Sequence, residues 1–259
     1  MNDWAPLRRV TQARIGLARA GSAISTQALL EFHAAHARAR DAVWCAWDID
    51  SCQRQLRAAG ATTLRVASAA PDRATYLKRP DLGRRLAPES VPVLEAAREA
   101  LRDAEPQTKQ GDRASAIDVA LVLSDGLSAT AAHAHGASTM LALLGALQAA
   151  GLRCSPVVLA ELGRVALSDE IGHVLAARSA VIVLGERPGL SAADSLGMYL
   201  TYAPAPGKTD AQRNCISNVR EPAGMSAQLA ATRLSSLLRR SLALGVSGVE
   251  LKDDGLLLP

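Results

Sequence analysis

Apolar residues along the chain fall into short uninterrupted runs and into longer stretches where they recur every three or four positions. The runs are Leu64–Ala67, Asp118–Ser124 (DVALVLS), Cys154–Leu159 and Ala180–Leu184 (AVIVL), with Gly197–Tyr202, Cys215–Val219 and a short segment near Val249 reading as further strands. Between them lie helices. Ser25 and Thr26 cap one expected through Val43, with Leu29, Leu30, His33 and Ala37 on one face. Trp44 to Ala61 reads as another, ended by Gly60, and Pro88 opens a third through Ala104. The uncharged stretch after Leu127 reads as a buried helix preceded by a loop. Ser168–Ala177 carries Asp169 and Glu170 in its first turn, where the helix dipole favours acids, and Ser226–Leu244 is an amphipathic helix stopped by Gly245. Apolar strands alternating with helices predict an α/β fold, a parallel sheet covered on both faces, with a mostly helical N-terminal region. Residues 1–20 read as an arm and Pro106–Arg113 as a linker, which divides the chain into 1–112 and 113–259.

Composition narrows the picture. Hydrophobic residues make up 49% of the 259, but 51 are alanine and only seven are aromatic, so the core must rest on Leu, Val and Ala. A charged fraction of 21% does not suit a disordered acidic or basic tail protein. The four cysteines, at 45, 52, 154 and 215, form neither a secreted disulfide framework nor a CxxC metal pair, and no signal sequence is visible; a reduced, cytoplasmic protein is expected. Leu127 to Leu152 carries no formal charge and is long enough to span a bilayer, yet it holds His133, His135, Gln148 and three glycines, which suit a protein interior better than lipid. Arginine outnumbers lysine 25 to 4, and residues 1–110 carry 17 basic against 12 acidic side chains. The basic residues neither cluster on one helix nor interleave with aromatics as in nucleic-acid readers. A phosphate-bearing small molecule or an acidic partner protein fits the surplus.

Ligands of open α/β sheets bind beyond the carboxyl ends of the strands. That rule singles out Ser124-Asp125-Gly126-Leu127-Ser128, which reads either as an Asp-Gly turn with Ser128 as a helix cap or as a cradle for a phosphate or sugar. It also singles out Gly185-Glu186-Arg187-Pro188-Gly189, either a surface turn with a local ion pair or a rigid, charged binding loop. Other signatures fail. Pro206-Gly207-Lys208-Thr209 ends like a phosphate-binding loop, but Tyr202 stands where its first glycine must be. His133 and His135, two apart on a helix, cannot chelate one metal, and no Asp-x-His-x-x-Gly is present to replace the lower ligand of a cobalamin. Cys215 has no histidine or second cysteine nearby and reads as a buried, inert thiol on a strand.

Taken in order, Tyr76-Leu77-Lys78-Arg79-Pro80-Asp81-Leu82-Gly83-Arg84-Arg85-Leu86, Ser124-Asp125-Gly126-Leu127-Ser128, Gly163-Arg164-Val165 with Asp169-Glu170-Ile171-Gly172, Gly185-Glu186-Arg187-Pro188-Gly189-Leu190 and Cys215-Ile216-Ser217-Asn218 resemble the small subunit of ethanolamine ammonia-lyase. The resemblance, over roughly residues 76–250, implies a Rossmann-like subunit of an adenosylcobalamin-dependent lyase that converts ethanolamine to acetaldehyde and ammonia. It implies a partner, a TIM-barrel large subunit that holds the substrate and the radical chemistry, while this chain grips the cofactor's nucleotide tail in its base-on form. Carried over motif by motif, the cobalamin contacts fall on Val165, Glu186 and Cys215. Val165 and Cys215 would give shape and backbone polar groups, and Glu186 would accept a hydrogen bond from the cofactor's periphery. No acid, base or nucleophile of the reaction and no metal ligand is expected in this chain. Some members of the family carry a longer N-terminal extension tied to ethanolamine microcompartments, and packaging through such a tail is not expected here. Glu221-Pro222-Ala223-Gly224 is shorter in Gly and Pro than the family's usual stretch, and Ser191 stands where a further glycine is usual. A free-standing Rossmann-like protein that binds another nucleotide through Asp125 and Glu186 is the alternative, with a DNA binder ranked last.

Overall fold

The computed structural model of the chain describes residues 4–103 and 117–252, apart from 12, 14 and 18. A one-turn helix α1 (Ala5–Arg8) and a hairpin of β1 (Arg19–Ala20) and β2 (Ala23–Ile24) precede α2 (Thr26–Trp44) and α3 (Ile49–Ala58). Strand β3 (Thr63–Ala67), helix α4 (Arg73–Lys78) and helix α5 (Val91–Asp103) follow. The linker expected over 106–113 lies outside the described residues. The chain continues through β4 (Val119–Ser124), α6 (Ala129–Ala131), a π-helical turn (Ala132–Gly136), α7 (Ala137–Ala149), β5 (Cys154–Glu161) and α8 (Leu167–Val174). It ends in β6 (Ser179–Gly185), β7 (Leu196–Tyr202), β8 (Arg213–Val219) and α9 (Ala227–Leu244).

Six strands form one sheet in the order β3-β5-β4-β6-β7-β8. The first four are parallel, as their continuous apolar runs predict, whereas β7 runs antiparallel to both its neighbours, β6 and β8. That departs from the all-parallel expectation, and connection length is the cause. No helix stands between β6 and β7, so the chain must return alongside the strand it has just left. Along β4 the side chains alternate between two cores. Val119, Leu121 and Leu123 join Leu56, Leu147 and Leu234 of α3, α7 and α9, while Ala120 and Val122 join Leu94 of α5 and Ile171 of α8. Both faces of the central strands are therefore apolar, which removes the polar alternation a half-exposed strand would show.

Elsewhere local chemistry overrules the pattern. The helix expected from Trp44 begins at Ile49, because Asp48 accepts the N–H of Ser51 at 2.9 Å and caps it there. The polar segment 71–81 holds α4, capped by Asp72. On α2 the buried positions are Ala35 and Ala42, while Leu29 and Leu30 are exposed. The strand expected near Val249 is a 3₁₀ turn, Gly248–Glu250, in which Gly248 takes a left-handed φ of 78° and donates its N–H to the Asn214 side chain at 2.7 Å. The uncharged stretch from 127 to 152 is divided among α6, the π turn and α7, and among the described residues no helix is long and apolar enough to cross a membrane.

The two leucine patterns give a direct test. Leu121 is fully buried in a central strand and Leu30 is 63% exposed. Leu121→Ala is expected to cost about 2–5 kcal/mol of unfolding free energy and Leu30→Ala no more than about 0.5, read by urea titration.

Candidate functional site

Parallel β5, β4 and β6 end side by side, and antiparallel β7 starts and β8 finishes at the same edge. Asp125, just past β4, is buried at their meeting point. One carboxylate oxygen accepts the N–H of Leu162 at 2.8 Å and the Ser124 hydroxyl at 3.2 Å, and the other accepts Arg73 Nη1 at 3.1 Å. Arg73 also donates to the carbonyls of Gly126 and Val43, both at 2.6 Å. Its guanidinium lies 5.0 Å from the ring centre of Tyr76, and that of Arg164 lies 4.2 Å from it. Tyr76, fully buried, donates its hydroxyl to the Gly163 carbonyl at 3.1 Å, and Ser124 Oγ accepts the Gly163 N–H at 3.0 Å. One carboxylate thus ties the end of β4 to the turn after β5 and to the first residue of α4. Leu162 takes a left-handed φ of 55°, a conformation a leucine rarely adopts, and the bond to Asp125 holds it there. Burial pushes the Asp125 carboxyl up to about 6, against the opposing pull of Arg73 and of the bonds from Leu162 and Ser124.

The Ser124–Ser128 loop is consequently scaffold. Ser124, Asp125 and Ser128 are all buried, and Ser128 caps α6 by accepting the Ala131 N–H at 3.1 Å while donating to the Ala193 carbonyl at 2.7 Å. The cap expected of Ser128 is present, and its polar groups are satisfied from within. Gly185 follows from the same crowding. A Cβ there would stand 2.2 Å from the Ser128 carbonyl oxygen and 2.5 Å from that of Asp125, so close approach, and not an unusual φ, requires glycine.

Glu186, the next residue, faces the rim. Its carboxylate accepts the hydroxyls of Ser195 at 2.7 Å and Ser217 at 2.5 Å, and the backbone N–H of Asn218 at 3.2 Å. Asn218 turns that N–H inward at a φ of 59°, a region asparagine tolerates. A Cβ at Gly197 would lie 3.1 Å from a Glu186 carboxylate oxygen and 2.9 Å from the Tyr199 ring, so the glycine leaves room for both. The local Glu186–Arg187 ion pair does not form among the described contacts, and Arg187 is exposed.

Cys215 lies on edge strand β8 directly opposite Tyr199. It is exposed, which corrects the expectation of a buried thiol; β8 buries Ile216 and Val219 and turns Cys215 and Ser217 outward. Loss of water around the sulfur, with the Glu186 charge adding to it, raises the thiol above its ordinary range despite a bond to Tyr199, which keeps Cys215 protonated and a poor nucleophile. Val165 is half-buried at the approach to α8, packed with Tyr199 against the second core, and its carbonyl accepts the Ser168 hydroxyl at 2.8 Å. Glu186, Cys215 and Tyr199 form one polar shelf, and Val165 packs into the same core as Tyr199.

The remaining candidates do other work. His133 accepts the backbone N–H of Asp48 at 2.7 Å and anchors the start of α3, while His135 lies 3.9 Å from Asp194. Among the described residues no group of three His, Cys, Asp or Glu could hold a metal ion. Pro206–Thr209 is the turn between β7 and β8, where Thr209 and Gln212 cap each other. Sequence reasoning passed over Ser195, Gly197 and Arg73. Ser195 precedes β7 and Arg73 opens the short α4 within the polar stretch 71–81, and in neither does any periodicity mark one polar residue above its neighbours.

Fold and site together define an α/β protein that presents an open polar shelf, backed by an inner network, at the carboxyl edge of its sheet. Residues 1–252 match the family described as the ethanolamine ammonia-lyase light chain (EutC), and the chain belongs to that family. It is 49% identical over 253 residues to the ethanolamine ammonia-lyase small subunit of Pseudomonas syringae pv. tomato, covering 98% of this chain and 84% of that protein. It is 50% identical to the protein of that name from Azotobacter vinelandii, covering 98% and 89%, and 47% identical to that from Rhodopseudomonas palustris, covering 97% and 90%.

The buried carboxyl sets a pH test. A carboxyl raised from 3.8 to about 6 by folding stabilises the fold fully below 3.8, and that contribution is lost as pH rises through about 6. Two units correspond to about 3 kcal/mol. The unfolding free energy of the native chain, relative to Asp125→Asn, should fall by about this amount between about pH 3.5 and pH 7 in urea titrations.

Proposed function

We propose that this chain is the small subunit of an adenosylcobalamin-dependent ethanolamine ammonia-lyase and that it grips the cofactor for a large subunit, which holds the substrate. The observation that carries the proposal is the state of Glu186. An ionised carboxylate offers about four acceptor positions, and three are filled by Ser195, Ser217 and Asn218. The carboxylate is therefore fixed in place with capacity for one further donor, and the corrin periphery carries carboxamides that donate such bonds. Cys215 and Ser217 are exposed beside it on the outward face of β8, which suits a broad flat ligand closed from the other side by a second protein.

Adenosylcobalamin supplies the radical chemistry when bound. This chain's residues orient it: Glu186 accepts from an amide of the periphery, Val165 and Cys215 shape the contact, and the protonated thiol of Cys215 adds no charge. With no Asp-x-His-x-x-Gly in this chain to displace it, the cofactor's own benzimidazole would remain in place, in keeping with a base-on form. The parallel strands β3 to β6 supply a Rossmann-like frame, and the residues ahead of 113 add a contact with the large subunit. The reaction served is the conversion of ethanolamine to acetaldehyde and ammonia.

The test is cofactor affinity in the complex assembled with the large subunit, followed by the visible absorbance of the corrin. Glu186→Ala and Glu186→Gln should both weaken binding roughly tenfold or more, the loss of a hydrogen bond to a charged acceptor, with the complex still assembled. Unchanged affinity would remove Glu186 from the site, and a nucleotide-binding isolated chain with no corrin affinity in the complex would favour a free-standing binder instead.

A further inference from the structure

Two segments supply the donors that hold Glu186: Ser195 ahead of β7, and Ser217 with Asn218 at the end of β8. The ladder between these strands is interrupted at that level. Leu196 pairs with Val219 and Met198 with Ile216, so Ser217 and Asn218 together stand opposite Gly197 alone. One extra residue of this kind is a β-bulge, which turns side chains and amides out of the regular alternation and leaves their spacing to other contacts. Here it aims two donors at one carboxylate, with Asn218 at its left-handed φ of 59°.

Arg220 bridges the bulge. Buried just beyond β8, it donates from Nε to the Asn218 side-chain oxygen at 3.1 Å and from Nη1 to Asp194 at 3.2 Å. Asn218 is one donor to Glu186, and Asp194 adjoins Ser195, another. One planar guanidinium therefore links both arms of the cradle, a task its fork geometry suits better than a lysine would. The backbone fixes its place: the Arg220 N–H donates to the Met225 carbonyl at 3.0 Å, and the Gly224 N–H donates to the Arg220 carbonyl at 2.9 Å. A Cβ at Gly224 would stand 2.3 Å from the Asn218 carbonyl oxygen and 2.8 Å from Arg220 Cγ, so glycine lets the turn close onto the arginine. Asp194 alone would neutralise the buried charge; the second bond, to Asn218, is the one that reaches the site. We propose that Arg220 is a positioning residue for the cofactor, acting through Glu186 by holding Asn218 and Ser195 at the spacing in which both donate to it. The proposal rests on the function inferred above, which sets Glu186 against the corrin periphery.

A double-mutant cycle tests this in the complex with the large subunit, with hydroxocobalamin as the probe and corrin absorbance as the readout. Arg220→Met keeps an unbranched apolar stem and removes the guanidinium. It should weaken hydroxocobalamin roughly tenfold in the native background and add nothing once Glu186→Ala is present, because both changes then remove the same contact. Asp194→Asn breaks the ion pair from a partly exposed side chain and should show the same dependence on Glu186, which keeps the test decisive if Arg220→Met fails to fold. A purely structural arginine would weaken binding by the same factor in both backgrounds. That result, or unchanged affinity in both variants beside a weakened Glu186→Ala, would overturn the proposal and leave Glu186 in its role. Unchanged affinity in Glu186→Ala itself would remove Glu186 from the site, and Arg220 would have nothing to position.

Discussion

Asp125 is the contact on which the carboxyl edge of the sheet depends. Burying a carboxylate is costly unless its oxygens are filled, and here the filling partners come from three separate parts of the chain: Ser124 on its own strand end, the Leu162 amide after β5, and Arg73 at the start of α4. Each tie constrains a loop that has no regular structure of its own. The left-handed Leu162, the Gly163 amide on Ser124 and the Tyr76 hydroxyl on the Gly163 carbonyl all follow from where that carboxylate sits. The turn carrying Arg164 and Val165 is therefore tied to the strand ends by hydrogen bonds on both sides of Gly163.

The second carboxylate, Glu186, shows what this inner order serves. Asp125 faces inward and is saturated; Glu186 faces the rim, held by donors from β8 and from the residue before β7, with capacity to spare. Gly185 precedes Glu186 and packs on the backbone at Asp125, and it can do so only because it has no side chain to strike the Asp125 and Ser128 carbonyls.

Much of this fold was legible in the chain. The runs at 64–67, 118–124, 154–159 and 180–184 all mark strands, because a parallel strand buried on both faces must be apolar throughout. The direction of β7 was not legible, since side-chain pattern is the same for either orientation and the missing crossover helix is the only cue. Helix ends were set by Asp48 and Asp72, whose capping role is invisible without the backbone they bind. At the site, motif order pointed to Glu186 and Cys215, and the structure brings these two together. The inward role of Asp125 and the parts of Arg73 and Ser195 depend on contacts between segments up to 53 residues apart, which no local pattern encodes. Cys215 was misjudged as buried because a short strand shows little of whether it lies at an edge.

Strand β3 belongs to the first third of the sequence, yet among the described residues its neighbour in the sheet is β5, whose residues 157–161 align with 63–67. During synthesis, then, the early segment emerges from the ribosome with its template still unmade, and it must stay unpaired while almost a hundred further residues are translated. Pairing over such a separation is slow, and an unsatisfied strand invites association with other nascent chains. The order of the strands therefore gives chaperones, and prompt docking on a waiting partner, a larger part in the yield of this polypeptide than its thermodynamic stability would suggest.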